Sequence, residues 1–219
     1  MTPETRSSSS VCTYLGHLRS WTVLLLLAGL CCVVELVLMS ADLGFIGSTR
    51  WRGLAYQNGA FWAGLLDDWR PNYVAQPWLM FLSYSFLHGG LSHLAGNMLI
   101  LVFLGPAVQA RVGQWKLLAI YVLSAIGGAA GFALLGNNPQ PVVGASGALF
   151  GLAGALVFWE FADHRREGRG LWPVASIVLV LIAMNVIFWV LLEGVLAWQT
   201  HLAGFVSGWL AAWMLKRSG

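Results

Sequence analysis

Hydrophobic residues form six long stretches along the chain, and each stretch is long enough to cross a lipid bilayer as a helix. A crossing needs about 20 predominantly apolar residues. The pattern therefore predicts an all-α membrane protein, a bundle of six transmembrane helices. The predicted spans are Trp21–Met39, Leu91–Val108, Leu117–Leu135, Ser146–Phe161, Pro173–Leu192 and Trp198–Leu215.

The long segment from Ser40 to Gly90 separates the first two spans and is rich in Trp, Gly and Pro. It is too polar to cross a membrane, so we predict a folded first loop that is partly embedded in the membrane interface. The first span is too long for a signal peptide, and no convincing cleavage site follows it. We expect one helical domain over residues 21–215, with cytoplasmic tails at residues 1–20 and 216–219.

Composition supports a membrane protein and excludes several other classes. Hydrophobic residues make up 58% of the 219 residues and charged residues only 10%, whereas soluble domains carry roughly 25% charged residues. The net charge of +3 is small and scattered, which argues against a nucleic-acid partner. The three cysteines do not form a disulfide framework, because two of them are adjacent in an apolar run.

Lysine and arginine positions predict the orientation of the spans. Nine of the twelve lie in segments that would share one side of the membrane with both termini. The positive-inside rule places that side in the cytoplasm. We therefore expect an integral, multi-pass membrane protein with both termini in the cytoplasm and with spans two, four and six running inward from the outer face.

This orientation brings four polar side chains to a similar shallow depth below the outer surface. Ser146 opens span four, His201 lies about one turn into span six, and His93 and Asn97 lie near the start of span two. Each one alone is explained as well by helix packing. Polar residues are costly inside a membrane and usually face the bundle interior or a water-filled cavity, so their common depth favours a catalytic site.

The available residue types favour a serine nucleophile activated by histidine. A serine hydroxyl needs a base such as His or a desolvated Lys, and both lysines are predicted to be cytoplasmic. No Asp lies inside spans two to six to complete a triad, which leaves a Ser146–His201 dyad. The close approach that it requires is possible because small-residue faces let helices pack tightly. These faces are Gly147 with Gly151 on span four and Gly204 with Gly208 on span six.

An oxyanion formed during attack by Ser146 would also need hydrogen-bond donors. His93 and Asn97 are four residues apart and project from one face of span two. The N–H of Ser146 is among the early helix donors that lack an intrahelical partner. One backbone N–H and two side-chain donors would form an oxyanion hole.

Three segments, HGGLSHLAGN, GASGALFG and THLAGFVSG, resemble the signature segments of the rhomboid family of intramembrane serine proteases. With the six spans and the long first loop, the resemblance covers roughly residues 20–215. It implies Ser146 as nucleophile, His201 as base and His93 and Asn97 as oxyanion partners, with His88 in support. It also implies transmembrane protein substrates in the lipid bilayer and no cofactor or metal. We place Gly144 and Phe150 beside the substrate pocket.

The sequence departs from the family pattern in three places. Phe150 stands where the family often has a tyrosine beside the histidine, and Gln109 with Arg111 replaces an expected Glu-x-Arg pair. The family's Trp-Arg pair just ahead of the first histidine is missing, and Trp69–Arg70 further upstream is a candidate counterpart. We expect Glu35 of span one to be structural or interface-reaching.

Other functions fit the sequence less well. A catalytically silent relative that escorts membrane helices would be favoured by loss of Ser146 or His201, and both are present. A solute transporter would be expected to show internal repeats and interrupted helices, and neither is evident. A zinc metalloprotease is set aside because the sequence contains no H-E-x-x-H motif.

Overall fold

The computed structural model describes residues 5–136 and 139–217, with side chains for residues 21–136 and 139–215. Within these residues the fold is all-α, and it has two short 3-10 turns and one isolated bridge pair. The predicted fold class is confirmed at this level. The helices are α1 (Thr5–Asp42), α2 (Trp51–Gly59), α3 (Gln76–Ser83), α4 (Leu91–Val112), α5 (Gln114–Leu135), α6 (Ser146–Arg166), α7 (Trp172–Leu191) and α8 (Trp198–Arg217).

Each predicted span coincides with one long helix, apart from small differences at the ends. The largest difference is at the N-terminus, where α1 begins at Thr5 and includes much of the predicted tail. Residues 1–4 and 218–219 lie outside the described residues. The division into two tails and a helical domain therefore stays a prediction.

Four helices in the described part of the chain are long and apolar enough to cross a membrane. They are α4, α5, α7 and α1 from Trp21 onward. Helix α6 is rich in Gly and Ala and ends in charged residues, and thirteen of its 21 residues are buried against other helices. A helix surrounded by protein does not need a lipid-compatible surface, which explains its lower hydropathy.

Glycines bring α6 and α8 into backbone contact. A Cβ added at Gly204 would overlap the carbonyl oxygen of Gly147, and one at Gly208 would overlap the carbonyl oxygen of Gly151. The predicted small-residue faces are therefore confirmed. Because the separation of the two helix backbones is limited by main-chain atoms, side-chain rotations cannot change it.

The first loop is folded, as predicted, and it packs onto the bundle. Phe61 and Val142 exchange two backbone hydrogen bonds of 3.0 and 2.9 Å. The Phe61 ring meets Phe132 of α5 edge-on, with 6.3 Å between ring centroids. The buried Gln76 side chain donates to the Gln57 carbonyl at 2.6 Å. These contacts fix the loop against α5 and against the segment that leads into α6.

A buried ion pair joins this loop to α1. Glu35 is fully buried and accepts two hydrogen bonds from the Arg52 guanidinium, at 3.0 and 2.8 Å. Arg52 also donates to Asp42 at 2.6 Å and to the His88 carbonyl at 3.0 Å. The hydrogen bond to Glu35 raises the pKa of Arg52 above its ordinary value. Glu35 is thus a structural carboxylate, as expected.

Among the described residues, Trp69–Arg70 has no hydrogen bond or ring contact with His88, and its equivalence to the family's Trp-Arg pair stays a prediction. The Trp69 ring packs near that of Trp62, at 5.8 Å between centroids, and Arg70 is exposed. Arg52 is instead the loop arginine that binds the backbone of His88.

The ion pair expected at the end of span two has a different carboxylate. Arg111 of α4 pairs with Asp163 of α6 and lies over the Trp159 ring, 5.5 Å from its centroid. The arginine of the expected pair is therefore satisfied without a glutamate at position 109.

Candidate active site

Ser146 and His201 lie in direct hydrogen-bond contact. Ser146 is the first residue of α6, and His201 lies in the first turn of α8. The Oγ of Ser146 and the Nε2 of His201 are 2.8 Å apart, and His201 is only 7% exposed. The contact forms because the glycine faces of α6 and α8 bring the starts of both helices together. A nucleophile and a base at this distance can exchange a proton directly.

The other nitrogen of His201 contacts a residue that the sequence reasoning missed. The Nδ1 of His201 lies 2.7 Å from the Oδ1 of Asn185 on α7. The sequence pattern was compared only with a Ser-His-Asp triad, in which the third residue is an aspartate. An available signal was an amide near the outer end of an otherwise apolar helix, at the same predicted depth as the other polar residues.

Phe150 stacks on the imidazole of His201. The ring centroids are 4.3 Å apart and the ring planes differ by 9°. Phe150 follows Ser146 by one helical turn, so both side chains lie on the same face of α6. The stacked ring fixes the plane of the imidazole without offering a hydroxyl.

An apolar cavity of about 510 Å³ lies beside the His201 and Phe150 rings, between α7 and α8. Its wall includes Leu202 and Phe205 of α8, together with apolar residues of α7. Phe150 lies in the wall of this cavity, and its place in a substrate pocket stays a prediction. Gly144 lies elsewhere, against the ring of His93.

His93 and Asn97 flank the segment that leads into Ser146. A Cβ added at Gly144 would lie 2.8 Å from the His93 Nε2 and 3.7 Å from the Asn97 Nδ2. The His93 Nδ1 accepts a 3.2 Å hydrogen bond from the Gly89 N–H, so its Nε2 carries the proton of the neutral ring. Asn97 is 3% exposed, and its Nδ2 donates to the His93 carbonyl at 3.0 Å.

His88 lies behind His93 as a buried neighbour. Its ring meets the His93 ring edge-on at 5.3 Å between centroids. Burial, with a smaller effect of nearby His93, lowers the pKa of His88 to about 4, so the ring is neutral at pH 7. Its carbonyl accepts hydrogen bonds from Arg52 and from the Tyr56 hydroxyl, at 3.0 and 2.7 Å. The first loop therefore fixes the backbone ahead of α4.

A metal site is not apparent in the described part of the chain, where no group of three His, Cys, Asp or Glu side chains is placed to hold an ion. The expected absence of a metal or cofactor stays a prediction.

The sequence is similar to several rhomboid proteins over part of its length. It is 32% identical over 135 residues to Rhomboid protease GluP of Bacillus subtilis (strain 168), which covers 62% of this chain and 25% of the relative. It is 36% identical over 135 residues to RHOMBOID-like protein 4 of Arabidopsis thaliana, which covers 61% of this chain and 33% of the relative. It is 31% identical over 158 residues to Rhomboid-type serine protease 2 of Emericella nidulans, covering 71% and 30%.

The chain thus spans a quarter to a third of the length of these relatives. A family model described as the Rhomboid domain matches residues 75–218. This match includes α3 to α8, the seven site residues predicted from the sequence, and Asn185. The protein therefore belongs to the rhomboid family.

Proposed function

We propose that this protein is an intramembrane serine protease that cuts transmembrane segments of other membrane proteins near the outer face. The observation that carries the proposal is the 2.8 Å contact between the Ser146 Oγ and the His201 Nε2. Two of the relatives described above are named as proteases, one of them a serine protease. The apolar cavity beside His201 suits the side chains of a membrane segment.

The proposed topology has six crossings, formed by α1, α4, α5, α6, α7 and α8. Four of these are apolar enough on their own. The burial of α6 supports its crossing as the central helix, enclosed by its neighbours. Helix α8 pairs with α6 along the glycine faces, so both run through the bundle side by side.

The proposed orientation places the site near the outer face and both termini in the cytoplasm. Ser146 begins α6, and Asp163, which pairs with Arg111, lies 17 residues further along the same helix. At 1.5 Å per residue this separation is about 25 Å. Arg111 and the arginines at the end of α6, Arg165 and Arg166, therefore lie at the opposite end of the bundle from the site. Because the positive-inside rule assigns basic residues to the cytoplasmic side, this supports a site near the outer face. We place the protein in a bacterial inner membrane.

In the proposed first step, the Ser146 hydroxyl attacks the carbonyl carbon of the scissile peptide bond. The Ser146 proton passes to the His201 Nε2, and a tetrahedral intermediate forms with negative charge on the carbonyl oxygen. The His93 Nε2–H, the Asn97 amide and the Ser146 N–H are the donors that would stabilise this oxyanion. The Asn97 amide must turn away from the His93 carbonyl to reach it.

In the second step the intermediate collapses and the bond to the leaving nitrogen breaks. His201 donates its proton to that amine, and an acyl-enzyme ester on Ser146 remains. His201 then takes a proton from water, whose oxygen attacks the ester carbon. When the ester bond breaks, His201 returns that proton to the Ser146 Oγ and the second product leaves. These steps need no cofactor. Segments with helix-weakening residues should be preferred, because an intact helix shields its peptide bonds.

The proposal is tested by reconstituting the protein in liposomes with a panel of model transmembrane substrates and analysing the products by mass spectrometry. Wild type should cut at least one substrate, and Ser146→Ala should lower the rate by several orders of magnitude. Ser207→Ala is the matched control, because it removes one serine oxygen from the α5–α8 packing away from His201. Cleavage by Ser146→Ala at the wild-type rate would overturn the proposal.

A further inference from the structure

Asn185 places an amide against the imidazole of His201. It lies on α7, whose other side chains are almost all apolar, and its Oδ1 is 2.7 Å from the His201 Nδ1. An amide in a transmembrane helix is costly unless it is hydrogen-bonded. The partner that it finds on a neighbouring helix is the proposed catalytic base.

The orientation of the Asn185 amide follows from its second hydrogen bond. The Nδ2 donates to the Leu181 carbonyl at 2.9 Å, one turn earlier in α7. A carbonyl only accepts, so the amide nitrogen must face Leu181 and the amide oxygen must face His201. The His201 Nδ1 therefore carries the ring proton, and this N–H donates a hydrogen bond to the Asn185 Oδ1.

This contact selects the tautomer of His201 that the reaction requires. A neutral imidazole carries one proton, and Asn185 keeps that proton on Nδ1. The Nε2 then has a free lone pair, which faces the Ser146 hydroxyl at 2.8 Å. The alternative tautomer would lose the hydrogen bond to Asn185, because an unprotonated Nδ1 would face an amide oxygen, and its Nε2–H would donate to the Ser146 Oγ instead of accepting the Ser146 proton.

Asn185 also completes the fixation of the ring. Phe150 holds the imidazole plane by stacking, but a ring turned over about the Cβ–Cγ bond would stack equally well. The two in-plane contacts, with Ser146 at one nitrogen and Asn185 at the other, prevent that rotation. After proton transfer, the Asn185 oxygen still accepts from Nδ1 and faces the positive charge of the imidazolium.

We propose that Asn185 is a positioning residue for His201, which extends the Ser146–His201 pair to a Ser-His-Asn arrangement. The inference rests on the proposed function. The amide contacts the base and also lies in the wall of the cavity beside it, so its loss should lower kcat by a larger factor than it changes KM.

The test compares three α7 variants in liposomes with a substrate that wild type cleaves. Asn185→Leu keeps the branched shape of the side chain and removes the acceptor, so kcat should fall about 10- to 100-fold. Asn185→Asp keeps an oxygen at the same place and should recover most of that loss. Ser176→Ala is the matched control, since the Ser176 Oγ donates only within α7, to the Pro173 carbonyl at 2.8 Å. It should leave kcat within about twofold of wild type.

Nitrogen-15 NMR of the histidine rings gives a readout that does not depend on proteolysis. With His201→Ala used for assignment, the wild-type His201 should show a protonated Nδ1 and an unprotonated Nε2. Asn185→Leu should redistribute the proton between the two nitrogens, and this can be measured even if that variant is inactive. A wild-type His201 protonated mainly on Nε2 would overturn the inference.

The two proposals fail in distinguishable ways. Wild-type kcat in folded Asn185→Leu would overturn the role of Asn185 while leaving the protease assignment intact. A loss in Asn185→Leu that Asn185→Asp does not recover would overturn the acceptor role. Absence of cleavage by wild type would instead count against the proposed function, and the NMR measurement would still decide the tautomer.

Discussion

Helices α8 and α7 both contact the site, but they are held in the bundle in opposite ways. Helix α8 lies against α6 with main-chain atoms in contact at Gly204 and Gly208. Of the twenty residues of α7, all within the described chain, only Val174 is buried. The distance between Ser146 and His201 is therefore fixed by rigid backbone contact, whereas Asn185 is carried by a helix with little packing. Hydrogen bonding, more than burial, holds Asn185 at the site.

The largest expected effect on the cleavage rate comes from a change on α8, the rigidly packed helix. His201→Ala should lower the cleavage rate by about 10⁴- to 10⁶-fold, because nucleophile and base act as one unit. The measurement is single-turnover cleavage in liposomes, with circular dichroism to verify folding. A loss no greater than that of Asn185→Leu would contradict the different roles of α8 and α7.

Asn97→Ala tests whether α4 contributes an oxyanion donor. Loss of one such donor costs about 3–4 kcal/mol in the transition state, so kcat should fall by about 10²- to 10³-fold. KM should change little, because the charge develops only after binding. A complete loss equal to that of His201→Ala, in folded protein, would argue against a separate donor role.

A methyl group at Gly208 should break the α6–α8 contact. In Gly208→Ala the added Cβ meets the Gly151 carbonyl, so the backbones must separate, at a cost of about 3 kcal/mol in the free energy of unfolding. The matched change on α7 is Ala183→Val, at an exposed position, with an expected effect within about 0.5 kcal/mol. Denaturation in mixed micelles measures both, and equal stabilities would remove the contrast between the helices.

The smallest effect in this series is expected from Glu35→Gln. The amide keeps the shape of Glu35, but one of the two oxygens that accept from Arg52 becomes an NH2 group, which cannot accept. One charge-assisted hydrogen bond is therefore lost and the other is weakened, at a cost of about 2 kcal/mol. The first loop should lose protection from hydrogen exchange, whereas the α6–α8 pair should keep it. Hydrogen exchange can separate these regions, and the prediction fails if α8 loses protection as much as α2.

The sequence predicts the α6–α8 side of the site well. Residues with a fixed spacing on a helix share a face, so the glycine faces and the positions of Ser146 and His201 follow from the pattern. The common depth of His93 and Asn97 follows from the span boundaries and the orientation.

The remaining contacts depend on tertiary packing that spacing does not encode. Asn185 contacts His201 only because α7 packs beside the start of α8. Arg52 contacts Glu35 only because the first loop folds back on α1. The choice of Asp163 as the partner of Arg111 likewise depends on the packing of α4 against α6. Local pattern shows that such residues are polar or charged but does not pair them.

Covalent labelling with a fluorophosphonate tests directly whether His201 activates Ser146. In wild type and in Ser207→Ala, peptide mapping should find the adduct on the Ser146 Oγ. The adduct should be absent in Ser146→Ala and form far more slowly in His201→Ala. An adduct on another serine, or undiminished labelling of Ser146 in folded His201→Ala, would contradict the account.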